Sequence, residues 1–171
     1  GSGTGGVKQD LHKAAELLVR PVEKGDPVAQ YYLAIDYLSG LGVEEDDAKA
    51  VVLLDAAAKQ GEKNAQYLLG IAIVNGVGGI LPNWTAAIPW LEQAAQQDVV
   101  KAQFVLGTAY ITGTGVDKDP ERAAYWLRRG LKIAKDDPAL TDRLRTLIRN
   151  GQVKWQAGDP EDAADEAQRS Q

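Results

Sequence analysis

Cysteine is absent from the 171 residues, and with it go disulfide staples, thiolate metal sites and a thiol nucleophile. A chain without thiols suits oxidising and reducing compartments equally, so this absence leaves the compartment open. Histidine occurs once, at His12, too few to build an imidazole metal cluster, and the spacing around it reads as an ordinary surface position. Methionine is missing too, from which we expect the natural start to lie upstream. Gly1-Ser2-Gly3 reads as a cloning scar and stays out of fold reasoning. No charged leader precedes an apolar run, and no apolar run reaches the length of a membrane-spanning helix.

The net charge is −5, which disfavours nucleic acid, since that needs a basic face. Charge is spread unevenly, with a balance of −6 over residues 1–117, +5 over 118–154 and −4 over 155–171. A basic stretch therefore adjoins an acidic tail.

What is present is repetition. Ala29-Gln30, Ala65-Gln66 and Ala102-Gln103 open similar runs at intervals of 36 and 37 residues. The glycines of Gly40-Leu41-Gly42-Val43, Gly76-Val77-Gly78 and Gly113-Thr114-Gly115-Val116 follow the same period. A fixed period of this length marks stacked repeats, each burying its apolar face against its neighbours. Within each unit Ala29, Leu33 and Tyr37, then Ala65, Leu69 and Ile73, then Ala102, Leu106 and Tyr110 share one helix face. Gly40, Gly76 and Gly113 close these first helices. Asp46, Asn83 and Asp119 cap second helices, with Pro120 in the first helical position of the third.

The second helices share a register of Ala50, Leu53, Leu54 and Ala57 with Ala87, Trp90, Leu91 and Ala94, continued by Ala123, Trp126 and Leu127. Ala34, Gly70 and Gly107 are small where the paired helix must come close. Shifted back by one unit, Gly6 to Asp10 matches the turn Gly42 to Asp46, so the chain is expected to begin in a turn before a second helix. Pro21 and Pro89 fall inside second helices, where each removes a backbone bond. Asp137-Pro138 opens a further helix towards Arg149, read as a terminal cap. The expected division is a scar and turn over 1–6, an all-α right-handed solenoid of stacked antiparallel helix pairs over 7–150, and an acidic tail, short helix or disordered, over 151–171.

The unit A-Q-(Y/F)-x-L-(A/G)-x-x-(Y/I)-x-x-G-x-G resembles the Sel-one-like repeat family of the tetratricopeptide superfamily, over roughly residues 6–135. The resemblance implies an adaptor or scaffold without catalytic activity or cofactor, whose first helices line a concave face that receives a protein or peptide. It favours a bacterial envelope location, with the cytoplasm as the alternative. The superfamily's concave positions fall on Val28, Tyr31, Ile35, Leu38 and Ser39, on Asn64, Tyr67, Ile71, Val74 and Asn75, and on Lys101, Phe104, Thr108, Ile111 and Thr112. Of these, Tyr31, Ile35, Leu38, Tyr67, Ile71, Val74, Phe104, Thr108 and Ile111 are the candidate groove, with Gln30 or Asn75 fixing register. Tyr31, Tyr67 and Phe104 would form a row about 20 Å long, at about 8–10 Å between helices. About six extended residues would cover it.

A second candidate surface is the basic end, Arg128, Arg129, Lys132, Arg143, Arg145 and Arg149, the contact surface in the alternative reading of a regulatory or accessory subunit of a bacterial envelope enzyme or sensor kinase. The remaining motifs have plainer readings. Glu44-Glu45-Asp46-Asp47 lies at a helix start, where negative charge is favourable, and no metal is assigned to it. Gly76 to Gly79 follows a helix and lacks the Lys-Ser/Thr of a phosphate loop. Asn83-Trp84-Thr85 is a formal sequon whose Asn already serves as a cap. Trp90 and Trp126 occupy packing positions, and Trp155 stands alone in the tail. No nucleophile, base and oxyanion hole come together as a hydrolase of cell-wall material would need.

Overall fold

The computed structural model describes residues 4–134 and 137–147. Among these residues there are eight α-helices and no strand: α1 (Thr4–Glu23), α2 (Pro27–Ser39), α3 (Asp47–Lys59), α4 (Lys63–Asn75), α5 (Trp84–Gln96), α6 (Val100–Thr112), α7 (Pro120–Ile133) and α8 (Pro138–Leu147). The closest pairs are α2 with α3, α4 with α5 and α6 with α7, each hairpin then stacking on the next. The architecture is an α-solenoid of antiparallel pairs. Arg149, Trp155 and the acidic tail lie outside the described residues.

Capping fixes where the helices begin and end. The side chains of Asp46, Asn83 and Asp119 accept from the first-turn N–H groups of Lys49, of Ala86, and of Glu121 and Arg122. Gly40, Gly76 and Gly113 close the first helices at φ of 63°, 73° and 75°. The second glycine of each turn has a different task. A Cβ on Gly42 would lie 2.2 Å from the Leu11 carbonyl oxygen, and one on Gly115 would lie 2.6 Å from the Trp84 Cβ. The turn thus sits directly on the backbone of the preceding second helix, and only a residue without a side chain fits. The first helices carry caps that the repeat alignment did not single out. Asp26 accepts from Val28 and Ala29 N–H, and Glu62 from Ala65 N–H, whereas Val99 offers α6 no side-chain acceptor.

The core is small residues meeting leucine. Ala34, Ala50, Leu54, Ala57 and Ala65 form one cluster, and Ala87, Leu91, Ala94, Leu106, Ala123 and Leu127 belong to a second. Gly70 faces Leu91, and Gly107 faces Leu127, where an added Cβ would approach Leu127 Cδ2 to 2.5 Å. That close approach lets the two helices of a pair meet nearly backbone to backbone. Trp126 is buried and Trp90 half-buried against the core. Helices α1 and α5 continue on both sides of Pro21 and Pro89.

One boundary differs from expectation. Residues 4–6, assigned to a scar and turn, belong to α1, which runs from Thr4 rather than starting near Asp10. The turn in the other units is held between a first and a second helix. Among the described residues no first helix precedes α1, so nothing stops its backbone bonds from continuing through Gly5 and Gly6.

Candidate functional site

All nine candidate groove residues are half-buried. Tyr31 and Leu38 lean on the first core cluster, and Tyr67, Ile71, Val74, Phe104 and Ile111 on the second. Tyr31 and Leu33 sit two positions apart, about 200° around the helix, so each first helix is apolar on two faces and seals only one.

The aromatic row is divided. Tyr31 and Tyr67 share a groove of about 380 Å³ with Lys63, Asn64, Leu68, Asp98, Val99, Val100 and Lys101. Phe104 instead lines a separate groove of about 420 Å³ with Ala139, Asp142, Arg143, Thr146 and Leu147 of α8. The Arg143 guanidinium lies over its ring, 4.9 Å from the centroid. Ile35, Leu38, Ile71, Val74, Thr108 and Ile111 line neither groove. Thr108 turns its hydroxyl back to the Phe104 carbonyl at 3.0 Å.

Around Tyr31 and Tyr67 the polar groups sort themselves by partner. Asp98 is committed to Arg129, whose Nη2 and Nε lie 2.7 and 2.8 Å from its Oδ1. Glu62 caps α4 and also accepts from Asn64 Nδ2. Burial raises the phenol pKa values of both tyrosines above 10.0, with the Glu62 carboxylate adding to the shift at Tyr31. Both therefore remain hydroxyl donors at neutral pH.

The basic end is largely engaged within the molecule. Besides Asp98, Arg129 donates to the Gln96 carbonyl and the Tyr125 hydroxyl, and Arg143 stacks on Phe104. Arg128 and Lys132 have intramolecular partners as well, and Arg145 is exposed. His12 is exposed, with Nδ1 2.7 Å from the Gly42 carbonyl. Among the described residues no group of His, Asp or Glu is placed to hold a metal, and no helix is long and apolar enough to cross a membrane.

A family model for the Sel1 repeat matches residues 1–26, 27–62, 63–99 and 100–132. The chain belongs to the Sel1 repeat family. Solved structures agree with the fold. A Sel1 repeat protein from Oxalobacter formigenes is 29% identical over 85% of this chain and 57% of its own, with a TM-score of 0.75. A protective antigen present in uropathogenic Escherichia coli strains, displaying an SLR fold, is 27% identical over 82% of this chain and 30% of its own, with a TM-score of 0.71. The chain thus spans a little over half of one neighbour and under a third of the other. No curated protein matches it. Sel1 repeat proteins generally mediate protein–protein interaction and form a non-catalytic scaffold family.

In this Sel1 repeat array the glutamine after each opening alanine is structural, which corrects the expectation that Gln30 faces a ligand. Gln30, Gln66 and Gln103 are all buried. Gln60 Nε2 donates to Gln30 Oε1 at 2.9 Å, and Gln97 Nε2 to Gln66 Oε1 at 2.8 Å. Gln66 and Gln103 in turn donate to the Ala58 and Ala95 carbonyls at the end of the preceding helix. Ala134 follows Gln97 by one repeat and has no amide to offer, so Gln103 Oε1 accepts no hydrogen bond among the described residues. The periodic recurrence of Ala-Gln was the available signal. Asn75, the other expected register residue, is exposed.

Proposed function

We propose that the chain is an adaptor module that receives a peptide segment of a partner protein on its concave face, at the groove walled by Tyr31 and Tyr67. The observation that carries this reading is the half-burial of the concave residues. Each contributes apolar surface to the first helices, yet among the described residues no helix closes over the Tyr31–Tyr67 groove as α8 closes over Phe104. Burying 200 Å² of apolar surface contributes about 5 kcal/mol, at about 25 cal/mol/Å². Association costs a comparable amount, so units one and two must act together. The basic end is the weaker surface, because Arg129 and Arg143 already hold Asp98 and Phe104.

The test is affinity capture from the native lysate with the wild type and with Tyr31→Ala/Tyr67→Ala, read by quantitative mass spectrometry. A partner lost only from the double variant, whose helical circular dichroism is unchanged, supports the groove. Equal retention of every partner overturns it and moves binding to the basic end.

A further inference from the structure

Resting on the reading that the Tyr31–Tyr67 groove takes a peptide, the chemical class of that peptide follows from which polar groups in the groove lack partners. Lys63 and Lys101 are exposed on its rim. Neither ammonium group has an ion pair or hydrogen bond among the described residues, although the protein as a whole is acidic. The Tyr31 and Tyr67 hydroxyls likewise have no hydrogen-bond partner among those residues. The groove's two acidic neighbours are already engaged, Asp98 by Arg129 and Glu62 by the first turn of α4.

The position of the two lysines is costly in the free protein. Lys63 is the first residue of α4 and Lys101 the second of α6, where the helix dipole favours anions and disfavours cations. Val99 adds no side-chain acceptor to the first turn of α6. Apart from Asp98, held by Arg129, and the amide of Asn64, the groove therefore offers two ammonium groups, two hydroxyls and a helix N-terminus, between walls of Val99, Val100 and tyrosine ring. We infer that the occupant is an acidic peptide segment of a partner protein, with Asp or Glu side chains flanking an apolar residue. The carboxylates would meet Lys63 and Lys101, and the apolar residue would enter between the tyrosine rings. Such charge complementarity also makes binding faster and sensitive to salt.

The inference is tested by selecting a random displayed peptide library on the full chain in three forms: wild type, Lys63→Glu/Lys101→Glu and Tyr67→Ala. Helical circular dichroism serves as the folding control. Wild type is expected to enrich peptides in which acidic residues flank an apolar one. The best of these, made synthetically, should lose about tenfold or more in affinity on charge reversal, and weaken with salt. Recovery of neutral or basic peptides that depend on Tyr67 but ignore the lysines overturns the acidic class and leaves the groove reading standing. Failure of any form to enrich peptides overturns both. Sedimentation of wild type as a dimer that charge reversal dissolves would make the occupant a second copy of this chain, and would also overturn the inference.

Discussion

At the C-terminal end of the stack, Arg145 stands where Ala34, Gly70 and Gly107 stand in the three complete pairs. At the N-terminal end, Ala14 is exposed and Leu18 half-buried where Ala50 and Leu54, and their equivalents in later units, are fully buried. Helix α8 is a first helix by register. Asp137-Pro138 repeats Asp26-Pro27, and buried Thr141 donates to the Ala134 carbonyl at 2.7 Å as the glutamines do one helix earlier. An exposed guanidinium thus stands on α8 where glycine lets the second helix pack closely in two of the pairs. Helix α1 is a second helix with its packing face intact, and no helix among the described residues covers it. Leu17, in the position of Leu53, Trp90 and Trp126, is 77% exposed. The same repeat code thus places a charged side chain at one end of the described stack and open apolar surface at the other.

The largest predicted effect makes that difference quantitative. Leu127→Ala empties a fully buried site and should cost about 2–5 kcal/mol in urea denaturation. Leu18→Ala, at the matching position of α1, should cost about 1 kcal/mol, since part of its side chain is already in water. Equal losses would break the comparison. A smaller change of opposite sign is expected at the third unit. Ala134→Gln restores the amide that Gln103 Oε1 lacks and should raise stability by about 0.5–1.5 kcal/mol in thermal unfolding. A lowered Tm would mean that α8 crowds the site. The smallest effect separates capping from packing in the N-terminal half. The hydrogen bond from Lys49 N–H, then the Lys49 ammonium, hold the Asp46 carboxyl below its ordinary 3.8. Its contribution is therefore complete above the unfolded-state value and disappears as pH falls through the depressed one. Asp46→Asn keeps a capping oxygen, so it should match wild type near neutrality and show a flatter acid limb in a pH series of melts.

Much of the fold was legible because it repeats. Asp46, Asn83 and Asp119 announced the second helices, the closing glycines announced the ends of the first, and Leu54, Leu91 and Leu127 fell into the core as their spacing implies. Burial of a polar side chain was harder to read. Gln66 is satisfied by Gln93 and Gln97, about one repeat away, and single-helix periodicity cannot reveal a partner at that distance. The register of α8 was hidden for a similar reason. Thr141 replaces glutamine and Arg145 replaces glycine, so chemistry changed while geometry persisted. At the candidate site, the concave positions followed from family resemblance, but the roofing of Phe104 by Arg143 depends on a helix outside the periodic pattern.

The glutamine ladder has a mechanical consequence. Gln66 fastens α4 to helices on both sides, to the Ala58 carbonyl behind it and to Gln93 and Gln97 ahead. Gln103 fastens only backwards, to the Ala95 carbonyl and Asp98. Under tension, Gln66 shares load within its own hairpin as well as with the hairpin before it, whereas Gln103 shares load only with the hairpin before. A sideways pull that prises a hairpin open should therefore meet one glutamine clasp fewer between α6 and α7 than between α4 and α5.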